Sequence, residues 1–286
     1  MTTIPIPTLV IRRLVRPFRS DTALVVAIGF WVLLAVCAIA PYLFAPADPL
    51  TIHYDSVLLA PSLEHPFGTD QFGRDMLGQM IHGTAVSVMV GLVSTLAAAL
   101  AGTLVGVIAG YLGGIVDAVV MRFIDVLLCF PGILLALVFQ AALGPGRVNI
   151  VIAVAIAGAP MYARLVRGTV LTQRSRTFVL ASRSAGVPEP IVVARHILPF
   201  LVGPVLSVAT IGLGTAIVLA ASLSFLGLGT DDGIADWGLL IGRGQAFLGS
   251  AWWIVTFPGI IIILVVMSAG VIGDSFGKRF SEGNRS

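Results

Sequence analysis

Charged residues are scarce in this chain of 286 residues. Only 11% of the residues are charged, against about 25% in a typical soluble domain, while 57% are apolar. This composition excludes an ordinary globular protein. The formal net charge of +3 is too small to indicate a nucleic-acid-binding surface, which would need a basic patch or stripe.

Lysine and cysteine are almost absent. The single lysine, Lys278, lies in Gly277-Lys278-Arg279 and does not fit the G-x-x-x-x-G-K-S/T loop that cradles the phosphates of a nucleotide. We therefore predict that this chain does not hydrolyse ATP. Its two cysteines, Cys37 and Cys129, lie inside apolar runs, which is typical of small hydrophobic residues and not of a disulfide framework or a metal site.

Recognisable catalytic motifs are missing as well. The four histidines are scattered, and neither the H-E-x-x-H pattern of zinc proteases nor the G-x-S-x-G pattern of hydrolases occurs. We predict that the chain is not an enzyme and has no catalytic residue, no bound cofactor and no metal site. The histidines are His53, His65, His82 and His196.

Long apolar runs are the main feature of the sequence. A bilayer core about 30 Å thick needs about 20 mostly apolar residues in each helix that spans it, and six stretches of this chain qualify. The predicted fold class is therefore all-α, a multi-pass membrane protein with about six transmembrane helices. The predicted spans are 23–43, 86–108, 119–143, 148–165, 202–223 and 252–272.

Basic residues lie almost entirely on one side of these spans. Four arginines precede the first span, six surround the loop between the fourth and fifth, and three basic residues follow the sixth. The other side has only Arg74, Arg147 and Arg243. Because lysine and arginine accumulate in cytoplasmic loops, we predict that both termini are cytoplasmic and that 44–85 and 224–251 face outward. Eight acidic residues lie in these outward segments: Asp48, Asp55, Glu64, Asp70, Asp75, Asp231, Asp232 and Asp236.

These predictions divide the chain into four segments. Residues 1–22 form a cytoplasmic N-terminal segment, and 23–85 contain the first transmembrane helix and an outward-facing segment. The main transmembrane domain covers 86–272 and includes the cytoplasmic loop 166–196, and 273–286 form a cytoplasmic tail.

The third span contains charged residues and a proline. Arg122 and Asp125 are three residues apart and can form an ion pair near the cytoplasmic end of the helix; a role in gating is the alternative. Pro131-Gly132 predicts a kink, because proline removes a helix hydrogen bond and clashes with the preceding turn. No pattern identifies the residues of a substrate pathway.

Small residues form a face on the second span. They are Gly91, Ala98, Gly102, Gly106 and Gly110, and the last three follow one another at four-residue spacing. Small residues let helix backbones approach closely, so we predict that this face packs on another helix, either of this chain or of a partner subunit.

The loop between the fourth and fifth spans predicts a short helix. Thr177 is the predicted N-cap, and Gly186 ends the helix by adopting the left-handed conformation. One aromatic and three small residues recur between them at i, i+3, i+4 and i+7, and such a narrow face fits a groove of another protein. The alternative is a positively charged loop with no partner. The face consists of Phe178, Ala181, Ser182 and Ala185.

Residues 177–199 resemble the coupling loop of permease subunits in binding-protein-dependent ATP-binding-cassette importers. That loop has an E-A-A sequence, a glycine four residues after the second alanine, and a later I-L-P sequence that often follows R-H. Ala181, Gly186 and the run from His196 to Pro199 match this pattern. The departures are Leu180 for the glutamate, Ser182 for the second alanine and Phe200 for the common asparagine.

Two further segments resemble the second, C-type permease subunit of the dipeptide, oligopeptide and nickel importers in this family. Residues 65–75 read His-Pro-Phe-Gly-Thr-Asp-Gln-Phe-Gly-Arg-Asp, and residues 222–229 read Ser-Leu-Ser-Phe-Leu-Gly-Leu-Gly. The first is similar to the outward-facing motif of these permeases, although glycine and aspartate are also ordinary turn residues. The matching residues of that motif are Gly68, Thr69, Asp70, Gly73, Arg74 and Asp75.

The resemblance implies a pore-forming permease that moves di- or oligopeptides across the cytoplasmic (inner) membrane of a bacterium by alternating access. The implied partners are a homologous second permease, two ATPase subunits that use ATP and magnesium, an extracytoplasmic substrate-binding protein and membrane lipid, with no nucleic acid. Import of nickel or another small solute is the alternative within the family, and a channel or secondary transporter is the alternative outside it. The implied ATPase-coupling residues are Phe178, Ala181, Ser182, Ala185, Gly186, His196 and Pro199.

Overall fold

The computed structural model describes residues 20–229 and 233–283. In these two ranges the chain is helical and has no strand; Thr69 and Asp75 form an isolated antiparallel bridge. Some residues behind the orientation prediction lie outside the described residues, namely Arg12, Arg13, Arg16, Arg19, Asp231, Asp232 and Arg285.

The α-helices of the described ranges differ widely in length. In chain order they are α1 (Ser20–Ile39), α2 (Met76–Leu112), α3 (Gly114–Cys129), α4 (Gly132–Leu143), α5 (Arg147–Arg174), α6 (Thr177–Ser184), α7 (Glu189–Val192), α8 (Leu198–Phe225), α9 (Trp237–Gly244) and α10 (Trp253–Gly283). Single 3-10 turns lie at Pro41–Leu43, Tyr54–Ser56 and Gln245–Phe247, and a π-helical turn at Val193–Ile197 leads into α8.

Six membrane crossings are available in this arrangement. Five helical stretches are long and apolar enough to cross a membrane, and the bent pair α3–α4 provides a sixth crossing if it is counted as one span. The predicted all-α, multi-pass architecture is therefore confirmed. The five stretches are Thr22–Ile39, Met76–Leu112, Arg147–Arg174, Glu189–Phe225 and Trp253–Gly277.

The third span differs from the prediction. Residues 119–143 belong to two helices bent by 99° and not to one kinked helix. Phe130 and Pro131 lie between them with ψ of 138° and 131°, both extended. Proline disfavours the helical conformation in the residue before it and has no N–H to continue the helix. The position of the break was predicted correctly, but the prediction of a continuous helix is wrong.

Charged contacts tie α3 to α5. Asp125 pairs with Arg164 of α5, and Asp117 accepts two hydrogen bonds from Arg167, from Nε at 2.7 Å and from Nη2 at 2.6 Å. The prediction that Asp125 pairs with Arg122 of the same helix is therefore wrong. Both aspartates face α5, so contacts between helices decide their partners.

The small-residue face of α2 packs against α5 of the same chain. A Cβ atom would lie 2.4 Å from the nearest α5 carbonyl oxygen at Gly102, 2.6 Å at Gly106 and 3.1 Å at Gly110. Only residues without a Cβ permit this approach. Gly91 lies instead against Ile217 of α8. The helix that packs on this face therefore belongs to this chain and not to a partner subunit.

Much apolar surface of α3 and α4 is uncovered. Val119, Phe123 and Val138 are each about two-thirds exposed, at 65%, 64% and 66%. Apolar membrane helices with so much exposed surface fit against lipid or another membrane subunit.

Candidate functional sites at the two ends of the bundle

The loop predicted to be cytoplasmic contains the short helix α6. Thr177 is its first helical residue and Arg176 is its N-cap, whose carbonyl oxygen accepts from the amides of Val179 and Leu180 at 3.0 and 3.1 Å. No side chain in the described part of the chain caps this end. The predicted N-cap, Thr177, is therefore wrong by one residue. Leu180 also has no carboxylate that could complete a capping box with Thr177.

Gly186 ends α6 as predicted. Its φ of +77° lies in the left-handed region. Its amide donates to the carbonyl of Arg183 at 3.0 Å, and the amide of Val187 donates to the carbonyl of Ser182 at 3.2 Å. This pair of bonds is a Schellman motif, which satisfies the last carbonyls of the helix and turns the chain sharply.

The two faces of α6 have different surroundings. Val179 is fully buried and anchors the helix to the body of the protein. The predicted docking face points away from it: Ala181 and Ala185 are exposed, and Ser182 is half-buried. Phe178, which is 38% exposed, is the aromatic residue of that face. The face is therefore available to another protein.

The loop returns to α8 through several side-chain contacts. His196 lies with Nε2 3.3 Å from the hydroxyl of Ser182, and its ring is 6.0 Å from that of Phe178. An ion pair of 3.0 Å joins Arg183 to Glu189. Short π-helical segments such as the one at Val193–Ile197 occur often at functional sites. The structure thus brings His196 onto α6, a contact that the sequence did not predict.

The end of the loop is fixed in the core. Ile197 is fully buried in a cluster with Val166 and Val170 of α5 and Leu201 of α8. Pro199 lies in the first turn of α8, where its missing N–H costs no helix hydrogen bond. Ile197 therefore joins the end of the loop to both α5 and α8.

The outward-facing motif forms a tight turn before α2. Both glycines have positive φ, +71° at Gly68 and +72° at Gly73. A Cβ at Gly73 would lie 1.8 Å from the carbonyl oxygen of His53. Asp70, which is 4% exposed, accepts from the amides of Phe72 and Arg74 at 2.8 and 2.9 Å. Glycine and aspartate therefore have structural roles in this turn.

Thr69 and Asp75 attach the turn to the membrane helices. The carboxylate of Asp75 caps α2 by accepting from the amide of Gly78 at 2.7 Å, and it lies 3.1 Å from Nδ1 of His65. The carbonyl of Thr69 accepts from the indole of Trp253 at 3.0 Å. The turn is thus tied to α2 and α10.

A half-buried polar cluster at the same end was not predicted from the sequence. Asp236 caps α9 by accepting from the amides of Gly238 and Leu239 at 2.8 and 3.1 Å. Burial raises the pKa of its carboxyl group, while hydrogen bonds, led by the one from Ser224, and the charge of Arg147 oppose the rise. The signal in the sequence was a helix-capping aspartate immediately before Trp-Gly.

The described residues contain no group of three or more histidine, cysteine or acidic side chains placed to hold a metal ion. The arrangement offers surfaces for partners at both ends of a helical bundle.

Comparison with known proteins gives consistent results. The family described as "Binding-protein-dependent transport system inner membrane component" matches residues 102–283. The dipeptide transport system permease protein DppC of Alkalihalophilus pseudofirmus is 39% identical over 217 residues, which are 76% of this chain and 71% of that protein. The glutathione transport system permease protein GsiD of Shigella flexneri is 42% identical over 260 residues, 91% of this chain and 86% of that protein.

The fold also has a counterpart among solved structures. An inward-facing conformation of the MetNI methionine ABC transporter aligns with a TM-score of 0.51 at 20% identity, covering 68% of this chain and 94% of that one. At this level of identity the similarity concerns the fold alone.

Proposed function

This chain belongs to the family of binding-protein-dependent transport system inner membrane components, as a permease of an ATP-binding-cassette importer, and we propose that its cargo is short peptides. One observation carries the proposal: the 39% and 42% identical relatives, aligned over most of both chains, are named for dipeptide and glutathione transport. Both named substrates are small peptides, so a peptide pathway is the simplest common function.

We propose that the transporter contains a homologous second permease, two ATPase subunits and an extracytoplasmic binding protein. The uncovered apolar surface of α3 and α4 supports a membrane partner. The exposed face of α6 supports a partner on the cytoplasmic side, and ATP and magnesium would bind to those ATPase subunits. ATP hydrolysis is assigned to them because this chain has no phosphate-binding loop sequence.

In this proposal the segment 177–199 transmits the movement of the ATPase subunits. Closure of the ATPase pair on ATP would push α6, and the buried contacts of Val179 and Ile197 would carry the displacement to α5 and α8. Because a partner shifts an equilibrium only through different contacts in the two states, α6 should dock differently in the inward-open and outward-open forms.

The test is transport by the assembled complex. The four kinds of subunit are reconstituted in liposomes with ATP inside, and uptake of a labelled dipeptide, glutathione and nickel is measured with the binding protein outside. We expect ATP-dependent uptake of peptide, which stops when the ATPase subunits are left out. Uptake of nickel alone, or peptide uptake without ATPase subunits, would contradict the proposal.

A further inference from the structure

A cavity of about 500 Å³ opens at the outward end, between the tight turn and helix α9. Its size is in the range of about 300–1,000 Å³ that is usual for small-molecule sites. Apolar and polar groups both contribute to the wall, as in most ligand pockets. The lining residues are Leu50, Gln71, Phe72, Arg74, Gly233 and Arg243.

The cavity brings together two of the three arginines on the predicted outward side, Arg74 and Arg243. The third, Arg147, donates to the carbonyl oxygen of Ile234 at 2.9 Å elsewhere. Arg74 comes from the turn and Arg243 from the end of α9, 169 positions later in the chain by number. The two guanidinium groups thus place positive charge beside the cavity, in segments where acidic residues outnumber basic ones.

Arg74 is held in place without a hydrogen bond from its guanidinium to any described residue. Asp70 fixes its backbone amide at 2.9 Å, and the guanidinium carbon lies 4.8 Å from the centre of the Phe72 ring. Within the described ranges, Nε of Arg74 is enclosed and lacks a hydrogen-bond partner. No described residue accepts a hydrogen bond from the two terminal nitrogens of Arg74 either, so its guanidinium has hydrogen-bonding capacity left for a ligand.

Gln71 adds a second kind of hydrogen-bonding group. Its Oε1 is also enclosed without a partner among the described residues. The amide offers a donor and an acceptor in either orientation. The site therefore provides donors for an anion and an acceptor for an N–H group, side by side.

We propose that this cavity binds the C-terminal end of a peptide. Arg74 would bind the terminal carboxylate, Gln71 would accept from the N–H of the last residue, and Phe72 and Leu50 would contact its side chain. A peptide end has its carboxylate and N–H on the same carbon, as the adjacent groups of the site require, whereas the carboxylate of an acidic side chain on a docking protein is one or two carbons farther from its N–H. The inference rests on the proposed peptide function.

The test is photo-crosslinking of the purified permease–ATPase complex without binding protein. The probe is a tripeptide with a free C-terminus and a benzoylphenylalanine as its last residue. We expect labelling at or beside residues 50, 71–74 and 243. A free-acid dipeptide should compete at least about tenfold better than its C-terminal amide, since one charge-assisted hydrogen bond is worth about 1.5–3 kcal/mol.

Two variants and one control complete the design. Arg74→Gln should reduce labelling by about tenfold or more and remove the preference for the free acid, and Gln71→Leu should weaken labelling by free acid and amide alike. If the Arg74→Gln variant does not assemble, the weaker labelling expected for Gln71→Leu tests the site in its place. Asp55→Asn, at an exposed outward position, should leave labelling unchanged.

Three results would overturn the inference. The first is labelling elsewhere in the chain, and the second is equal competition by the free acid and the amide. The third is an Arg74→Gln variant that is labelled normally but binds the substrate-binding protein more weakly, because that result would make the cavity a docking site for the binding protein. Uptake by the complete transporter separates this inference from the proposed peptide function. If the transporter takes up no peptide, the proposed function is wrong. If it takes up peptide but Arg74→Gln still prefers the free acid to the amide, only the proposed site is wrong.

Discussion

Gly186 is constrained by its own backbone and not by its neighbours. Its φ is +77°, yet no described atom lies within 4 Å of the position that a Cβ would occupy. A side chain therefore has room, and the cost of a substitution is set by how well the residue tolerates the left-handed region. Asparagine tolerates that region far better than a β-branched residue does.

Gly186→Val should therefore impair coupling, and Gly186→Asn should preserve most of it. Valine would destabilise the turn by about 1–2 kcal/mol, enough to change the direction in which the chain leaves α6. The measurement is ATP-dependent peptide uptake, with membrane abundance and ATPase co-purification in the same cells.

Arg183→Ala is a further control for the glycine variants. Its ion pair with Glu189 is about half exposed on both sides and should be worth little. Wild-type uptake by Gly186→Val at normal abundance would show that this turn does not couple, and loss of abundance alone would identify a folding defect.

Gly106 presents the opposite situation, because its backbone is helical and its neighbours are close. A Cβ would lie 2.6 Å from the carbonyl oxygen of Ala163 and 2.8 Å from Cβ of Val166. Gly106→Ala should therefore separate α2 from α5 and lower stability by about 1–3 kcal/mol. Thermal unfolding of the purified chain in detergent measures the effect.

Gly270→Ala is the matched control for Gly106→Ala. It makes the same change in the membrane-spanning part of α10, where no described atom lies within 4 Å of the new Cβ. Its unfolding temperature should equal or exceed that of the wild type, since alanine favours helix over glycine. Equal unfolding temperatures for the two variants would argue against close packing of α2 on α5.

At the scale of the elements, hydropathy predicted where the helices are but not which way they run. Residues 119–143 are apolar enough for one span, and Pro131 correctly predicted a break. Composition does not reveal the 99° angle, nor the contacts of Asp117 and Asp125 that join α3 to α5. The i, i+3 spacing predicted an ion pair of Asp125 with Arg122 of the same helix, but Asp125 pairs with Arg164 of α5 instead.

The candidate site was predictable to a similar degree. Gly186 and the exposed face of α6 followed from local rules, because glycine conformations and helix periodicity are local properties. The packing of Val179, the contact of Ser182 with His196 and the hydrogen bond of Ser224 to Asp236 depend on the folded chain. Such contacts join residues far apart in sequence, which a single sequence does not pair.

The pair Asp117–Arg167 should hold the bent helix pair in position. The carboxylate is 14% exposed and the guanidinium 35%, so solvent screens the pair only in part. Asp117→Asn should lower stability by about 1–3 kcal/mol, because it weakens two charge-assisted hydrogen bonds. Asp117→Arg and Arg167→Asp should each destabilise the chain when made alone, and the double variant should recover part of that loss of stability.

The measurements are unfolding temperature in detergent and membrane abundance. Asp55→Asn serves as the control, because it makes the same chemical change at an exposed site and should have little effect. A double variant no more stable than the weaker single variant would mean that the two residues act separately.

At the scale of the whole molecule, the two ends of the bundle have different chemistry. The loop containing Ser175 lies beside arginines, and Arg174 donates to the carbonyl oxygen of Gly110 at 2.8 Å, at the C-terminal end of α2. The opposite end has the capping aspartates Asp75 and Asp236. Cations at helix C-termini and anions at N-termini are favourable, so Arg174, one of the residues behind the predicted orientation, and the two aspartates also stabilise helix ends.

This asymmetry predicts which end faces the cytoplasm, and cysteine labelling of intact cells tests it. The native thiols, Cys37 and the exposed Cys129, are first replaced by alanine. In that background, Ser250→Cys should react with a membrane-impermeant maleimide from outside, and Ser175→Cys should react only after the cells are opened, since both positions are exposed in the fold. Both thiols should react equally in detergent, which controls for accessibility. If Ser175→Cys reacts from outside and Ser250→Cys does not, the orientation is reversed, and α6 could not receive the movement of cytoplasmic ATPase subunits.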